Sequence, residues 1–229
     1  MTAVQPTRDQ LALALDVDDL VAATRLARQL KPWFGTAKVG LELFSAAGPE
    51  AIGALVDLGF EVFLDVKLHD IPTTVERAAR VLGALGVRYL TLHAVGGEPM
   101  LRAGVDGLAE GAANAGLQPP MALAVTILTS DDGAPPHILP KRVAAAVESG
   151  CRGIVCAAGD VREAKQYGPR LFAAVPGIRP DGVARHDQAR AATPAAALLA
   201  GADLLVIGRA VTEASDPAGA AAALVGAPA

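Results

Sequence analysis

Cysteine is scarce: Cys151 and Cys156 are the two in 229 residues. Two thiols make neither a disulfide framework nor a zinc site, and they read as reduced, largely buried side chains of a cytoplasmic protein. Aromatic residues are 3% of the chain, and 20 basic side chains face 24 acidic ones for a net charge of −4. A chain so poor in stacking rings and without a basic excess lacks the surface of a nucleic-acid binder. Long apolar runs are missing too. The longest uncharged stretch, 111–130, is interrupted by Asn114, Gln118, Pro119 and Pro120, so no membrane-spanning helix is expected. Met1 to Pro6 shows no basic segment followed by an apolar one, which argues against a secretory leader. Aliphatic residues are plentiful instead. With 52% hydrophobic and 19% charged residues, the composition is incompatible with disorder.

Short apolar runs alternate with longer Ala/Leu-rich segments along the whole chain. The runs are Leu11–Asp16, Ala37–Gly40, Val62–Lys67, Tyr89–His93, Met121–Leu128, Gly153–Ala157, Phe172–Val175 and Leu204–Arg209. Their Val/Ile/Leu content fits strands buried on both faces. Between them, Asp19–Leu30 places Leu20, Ala23, Ala27 and Leu30 on one helical side, and Thr73–Leu85 is a helix opened by Pro72. A glycine stands shortly before several strands (Gly59, Gly86, Gly116, Gly150, Gly201), where a helix C-cap needs positive φ. Eight strand–helix units in 229 residues predict an α/β fold, a single (β/α)8 TIM barrel spanning 1–229 as one domain. A doubly wound sheet fits less well, because the turn after the first strand is acidic (Asp16, Asp18, Asp19) rather than glycine-rich. The Pro-rich stretch 134–140 reads as a loop entering the fifth helix.

In such a barrel the C-terminal strand ends carry the active site. The polar residues ending these runs are Asp16, Lys38, Asp65, Lys67, His93, Thr126, Thr129, Arg179 and Arg209. Ionisable groups in apolar strands are costly unless paired, so their gathering at one rim points to function. A two-residue period puts Phe63, Asp65 and Lys67 on one face of the third strand, with Asp70 just beyond it and Lys38 on the neighbouring strand. Flanking carboxylates favour an ammonium, whereas a Schiff-base lysine needs a free amine. Lys67 is therefore better suited to donate a proton than to act as a nucleophile. Opposite, Gly177-Ile178-Arg179 after strand seven and Gly208-Arg209 after strand eight occupy the usual phosphate site of this fold.

Six motifs carry a resemblance: Leu13 to Asp16, Lys38 to Gly40, Asp65-Val66-Lys67-Leu68-His69-Asp70-Ile71-Pro72-Thr73-Thr74, Val125 to Ser130, Pro176 to Pro180, and Leu205 to Arg209. In order and spacing, over residues 11 to 217, they resemble the orotidine 5′-phosphate decarboxylase family. The resemblance implies decarboxylation of orotidine 5′-monophosphate to UMP and CO2, the last step of pyrimidine nucleotide synthesis, with no cofactor and no metal. It implies that Lys67 protonates C6, that Asp65 lies against the substrate carboxylate, and that Lys38 and Asp70 complete a charged array. It implies further that Asp16 and Lys38 contact the ribose, that Thr129 reads the pyrimidine, and that Arg179, Gln188, Gly208 and Arg209 hold the phosphate. The stretch 176–188 resembles a lid. Members are homodimers, so Asp70, Ile71 and Thr74 are expected to reach a partner's site. One departure stands out: Val95 replaces an expected Ala or Ser, and a change in packing under the pocket is expected there.

Two other functions fit parts of the pattern. A keto-sugar-phosphate enzyme with the same D-x-K pattern would use magnesium and need a further acidic ligand on strand two, where this chain has Lys38 and only Glu42 nearby. A silent phosphate sensor would let the charged cluster decay, yet Lys38, Asp65, Lys67 and Asp70 are all present. His69 and His93 have no nucleophile or metal partner by motif, and hydrogen bonding is their expected role.

Overall fold

Short strands with no polar face to offer solvent must be covered on both sides, and a closed parallel barrel does this. A computed structural model describes residues 4–131, 133–179 and 190–226. Its strands are β1 (Leu11–Ala14), β2 (Thr36–Gly40), β3 (Glu61–Leu68), β4 (Tyr89–His93), β5 (Met121–Val125), β6 (Gly153–Val155), β7 (Phe172–Val175) and β8 (Leu204–Ile207). They pair in parallel in chain order, and β1 closes on β8, giving the expected barrel. The covering helices are α1 (Leu20–Leu30), α2 (Leu41–Ala47), α3 (Pro49–Asp57), α4 (Pro72–Gly83) and α5 (Gly97–Asn114) in the first half. The second half contributes α6 (Ile138–Glu148), α7 (Val161–Tyr167), α8 (Pro194–Ala200), α9 (Arg209–Thr212) and α10 (Pro217–Leu224).

Local chemistry explains the boundaries. Asp19 caps α1, its carboxylate accepting from the N–H groups of Val21 and Ala22 at 3.2 and 2.8 Å. Of the expected face of that helix, Ala23, Ala27 and Leu30 are fully covered and Leu20 is half-buried. Gly59, Gly86, Gly116, Gly150 and Gly201 all take positive φ, from +69° at Gly116 to +103° at Gly201, which is why glycine recurs before the strands. Runs one, five, six and eight end sooner as strands than their apolar patterns suggest. Their last residues leave the sheet to form the barrel rim, where Thr126 bonds back to Val155 O through both its N–H and its hydroxyl.

Two apolar layers result. The outer one joins strands to helices through residues such as Leu11, Leu13, Val62, Leu64, Leu90 and Leu92. The inner one fills the barrel with Ala12, Ala14, Phe63, Tyr89, Leu123, Val125, Phe172 and Val206. Three of the few aromatics plug this interior: the Phe63 and Tyr89 rings meet edge-on at 5.8 Å, and Tyr89 stacks on Phe172 at 5.4 Å. Both cysteines are buried, and desolvation pushes their thiols up, to about 11 for Cys151 and about 12 for Cys156.

Helices α4 and α5 touch backbone to backbone. A Cβ on Gly111 would lie 1.9 Å from Arg80 O, one on Gly107 would lie 2.2 Å from Glu76 O, and one on Gly83 would lie 2.3 Å from Leu108 O. Only glycine permits such an approach. The Gly53 Cα in α3, by contrast, has nothing within 4 Å of a built Cβ. Gly111→Ala should therefore lower the unfolding free energy by about 1–3 kcal/mol through overpacking. Gly53→Ala should raise it by about 0.5–1 kcal/mol through helix propensity. Urea unfolding of the two variants beside the parent checks both signs.

Candidate active site

The C-terminal mouth of the barrel holds a cavity of about 220 Å³. Ala14, Phe63, Val125, Val155 and Val206 give it an apolar floor, the upper face of the inner layer. Charged groups ring this floor. Asp16 follows β1, Lys38 lies within β2, and Asp65 and Lys67 lie near the end of β3. Lys38 Nζ is 2.9 Å from Asp16 Oδ1 and 3.9 Å from Asp65 Oδ2, and Lys67 Nζ is 2.9 Å from Asp65 Oδ1. The order of signs is therefore minus, plus, minus, plus. The Lys38 and Asp65 side chains are only 11% and 15% exposed, so the ion pairs that Lys38 makes with Asp16 and Asp65 makes with Lys67, more than their longer contact with each other, make their burial tolerable. Gly40 leaves room for the pair, since a Cβ there would sit 2.9 Å from Asp16 Oδ1 and 3.0 Å from Lys38 Nζ.

Asp65 and Lys67 do share the barrel-facing side, but not by the plain alternation that the sequence suggests. Pairing with β4 runs Phe63 to Tyr89 and Leu64 to Leu90, then resumes at Leu68 with Leu92. Lys67 lies in this bulge with φ +49°, the one non-glycine residue with positive φ among the described residues. Its N–H donates at 2.8 Å to the hydroxyl of Thr91, which in turn donates at 3.1 Å to Asp65 Oδ1. Thr91 is fully buried in β4 and was no part of the sequence-derived site. The signal for it was available: the strand period that turns Tyr89 inward turns Thr91 and His93 inward as well.

Across the cavity stand Pro176, Gly177, Ile178 and Arg179 after β7, with Gly208 and Arg209 after β8. Ile178 bridges to Ala192: Arg179 N–H donates to Ala192 O at 2.9 Å, and Ala192 N–H donates to Gly177 O at 3.2 Å. Thr129 lines the same cavity. Eight of the expected residues thus converge: Asp16, Lys38, Asp65, Lys67, Thr129, Arg179, Gly208 and Arg209. Gln188, and with it most of the expected lid, lies outside the described residues. Asp70, Ile71 and Thr74 are exposed at the start of α4 and do not line this chain's cavity. Asp70 Oδ1 accepts the Ile71 N–H at 2.7 Å.

One expectation is corrected, and one rival reading loses its candidate ligand. Val95 does not pack under the pocket; it is 51% exposed in the turn after β4 and lines no part of the cavity. Glu42, the carboxylate a magnesium-dependent reading would enlist, is exposed in the first turn of α2 and is also absent from the lining. Among the described residues, no group of three or more His, Cys, Asp and Glu side chains could hold a metal ion. No helix among them is long and apolar enough to cross a membrane.

A parallel eight-stranded barrel with paired charges and arginine-bearing loops at its C-terminal mouth has the form of a (β/α)8-barrel enzyme. Comparison with known proteins gives the family. A model described as "Orotidine 5'-phosphate decarboxylase / HUMPS family" matches residues 9–224, and the chain belongs to that family. Orotidine 5′-phosphate decarboxylase of Anaeromyxobacter sp. (strain K) is 46% identical over 227 residues, covering 94% of this chain and 96% of that protein. The Moorella thermoacetica protein of the same name is 42% identical over 229 residues, covering 95% and 91%. The crystal structure of orotidine 5′-phosphate decarboxylase from Lactobacillus acidophilus superposes with a TM-score of 0.78 at 34% identity, covering 96% of this chain and 97% of that one.

Behind Lys67, the half-buried His93 closes β4. Its Nδ1 accepts the Val95 N–H at 3.3 Å, and its ring lies 5.8 Å from that of His69. Burial holds its pKa below the ordinary 6.5, and the charges of Arg142, His69 and Lys67 lower it further. The unfolded chain therefore binds this proton at a higher pH than the folded one. Below about 6.5, stability from this residue falls as pH falls, and it recovers as pH rises back through the same window. His93→Asn keeps an acceptor for Val95 and removes the titration. Melting curves between pH 7 and pH 5 should show a smaller loss of Tm in the variant than in the parent.

Proposed function

We propose that the protein decarboxylates orotidine 5′-monophosphate to UMP and CO2, closing pyrimidine nucleotide synthesis, with Lys67 as the proton donor to C6. The observation that carries this reading is the alternating Asp16–Lys38–Asp65–Lys67 chain on an apolar floor, facing Arg179 and Arg209 across one cavity. When the C6–carboxylate bond breaks, its electron pair stays on C6 and CO2 departs. No neighbouring group can delocalise that pair, so fixed positive charge must stabilise it. Lys67 Nζ supplies the charge and then the proton, and afterwards recovers a proton from solvent. Asp65 holds the ammonium on one side, and Lys38 keeps the carboxylate pair from repelling itself. Uncatalysed reactions that are very slow require up to about 20 kcal/mol of stabilisation, more than one ion pair supplies. The remainder would come from groups remote from C6.

Arg179, Gln188, Gly208 and Arg209 are assigned to the phosphate, Asp16 and Lys38 to the ribose, and Thr129 to the pyrimidine edge. Binding energy gained at the phosphate would be used to exclude water from the reacting carbon. Asp70, Ile71 and Thr74 are assigned to the site of a second copy in a homodimer. Their exposure, away from their own cavity, supports this. The reading needs no cofactor or metal, and its soluble nucleotide substrate and product suit a cytoplasmic enzyme.

The test follows the ultraviolet absorbance of orotidine 5′-monophosphate with EDTA-treated protein. Conversion to UMP is expected, with Lys67→Ala lowering kcat by at least about 10²–10⁴-fold, the range for loss of a positioned proton donor. A folded parent protein that leaves the substrate unchanged would sink the reading. For the dimer, Lys67→Ala and Asp70→Ala proteins should each be inactive, yet activity should return on mixing. One site of the mixed dimer then carries neither change. Proven subunit exchange without recovered activity would remove Asp70 from the partner's site.

A further inference from the structure

The bulge that carries Lys67 depends on one buried hydroxyl. Between the pairs Leu64–Leu90 and Leu68–Leu92, β3 uses four steps where β4 uses two, so Asp65, Val66 and Lys67 lack regular ladder partners on the β4 side, while Asp65 still pairs with Gly40 of β2. A buried backbone N–H without an acceptor is a costly defect, and Lys67 also holds the left-handed conformation that lysine avoids. The Thr91 hydroxyl answers both problems at once. It accepts the Lys67 N–H at 2.8 Å and directs its single proton to Asp65 Oδ1 at 3.1 Å, the same oxygen that lies 2.9 Å from Lys67 Nζ. The contacts close a ring: Lys67 backbone, Thr91 hydroxyl, Asp65 carboxylate, Lys67 ammonium. Thr91 is 0% exposed, so water cannot easily take over its bonds. Its branched Cβ also limits the rotamers that the hydroxyl can adopt.

We infer that Thr91 is a positioning residue for the decarboxylation: its hydroxyl locks the bulged backbone of Lys67 to the carboxylate of Asp65 and so fixes where the ammonium points. Thr91 does not line the cavity, and it acts through these two groups. The inference rests on the proton-donor role proposed for Lys67. A shift of about 1 Å in such a donor can cost on the order of 100-fold in rate, while ribose and phosphate contacts made elsewhere stay intact.

The experiment compares Thr91→Val, which keeps the shape and removes the hydroxyl, with Thr91→Ser, which keeps the hydroxyl. Thr91→Val is expected to lower kcat by about 10–100-fold with KM changed less than about threefold, and Thr91→Ser should stay within about fivefold of the parent. Hydrogen exchange of the Lys67 amide, read by NMR, should be slow in the parent and in Thr91→Ser and at least about tenfold faster in Thr91→Val. Should Thr91→Val fail to melt cooperatively, Thr91→Cys replaces it with the same expectations, because a thiol fills the space but hydrogen-bonds weakly. A hydroxyl-free variant that folds and keeps parental kcat, or keeps the Lys67 amide protected, overturns the inference. The exchange measurement needs no turnover. An inactive parent protein would thus count against the decarboxylase reading alone, while the amide data still judge the Thr91 contact.

Discussion

Two ammonium groups and two carboxylates at the mouth of an apolar barrel are tolerable only if neighbours alternate in sign. Lys38 and Asp65 are nearly buried, and removing the partner of a buried charge typically costs about 3–5 kcal/mol. This constraint reaches well beyond the four side chains. Gly40 must lack a Cβ, because one would press on both Asp16 and Lys38. The third strand departs from regular pairing at the point where Asp65 and Lys67 stand beside each other above the Phe63 floor. The barrel below must be filled, and Phe63, Tyr89 and Phe172 fill it with three of the chain's few rings.

The bulge in β3 connects folding to chemistry. A lysine in the left-handed region is strained, by roughly 1–3 kcal/mol for such conformations in general, and the surroundings have to hold it there. Thr91 holds the backbone, Asp65 holds the side chain, and Leu68 returns the strand to register with Leu92. A regular strand would carry the same residues with less strain. It would also lose the link between the Lys67 main chain and the carboxylate that its own ammonium contacts.

Much of this was legible in the sequence because its signals are local. Buried parallel strands read as short aliphatic runs, helix ends read as glycines, and rim residues read as polar interruptions of apolar runs. Asp16, Lys38, Asp65, Lys67, Thr129, Arg179, Gly208 and Arg209 can therefore be assembled from the sequence, and they line one cavity. Other features are set by partners distant in sequence. Thr91 looks like an ordinary strand threonine until β4 is placed beside β3. Gly83, Gly107 and Gly111 look like weak points in helices until α4 and α5 meet. The placement of Asp65 beside Lys67 was anticipated for an incomplete reason, since alternation alone does not account for a strand that bulges between them.

The glycine contact between α4 and α5 also bears on the site. Asp70, Ile71 and Thr74 stand where β3 hands over to α4, and under the proposed assignment to a neighbouring subunit they would be held by their own fold rather than by their own cavity. Leaving the strand, the chain is fixed by Leu68 pairing with Leu92. Entering the helix, it is fixed by Pro72 at the first position and by the Asp70 carboxylate bonded to the Ile71 N–H. Further along, the backbone of α4 is seated against α5 at Glu76 and Arg80, where the glycines leave no slack. The exposed Asp70 carboxylate thus precedes the α4 segment seated on α5 at Glu76 and Arg80. In the proposed dimer, the geometry of one site would then depend on the helix packing of the other subunit.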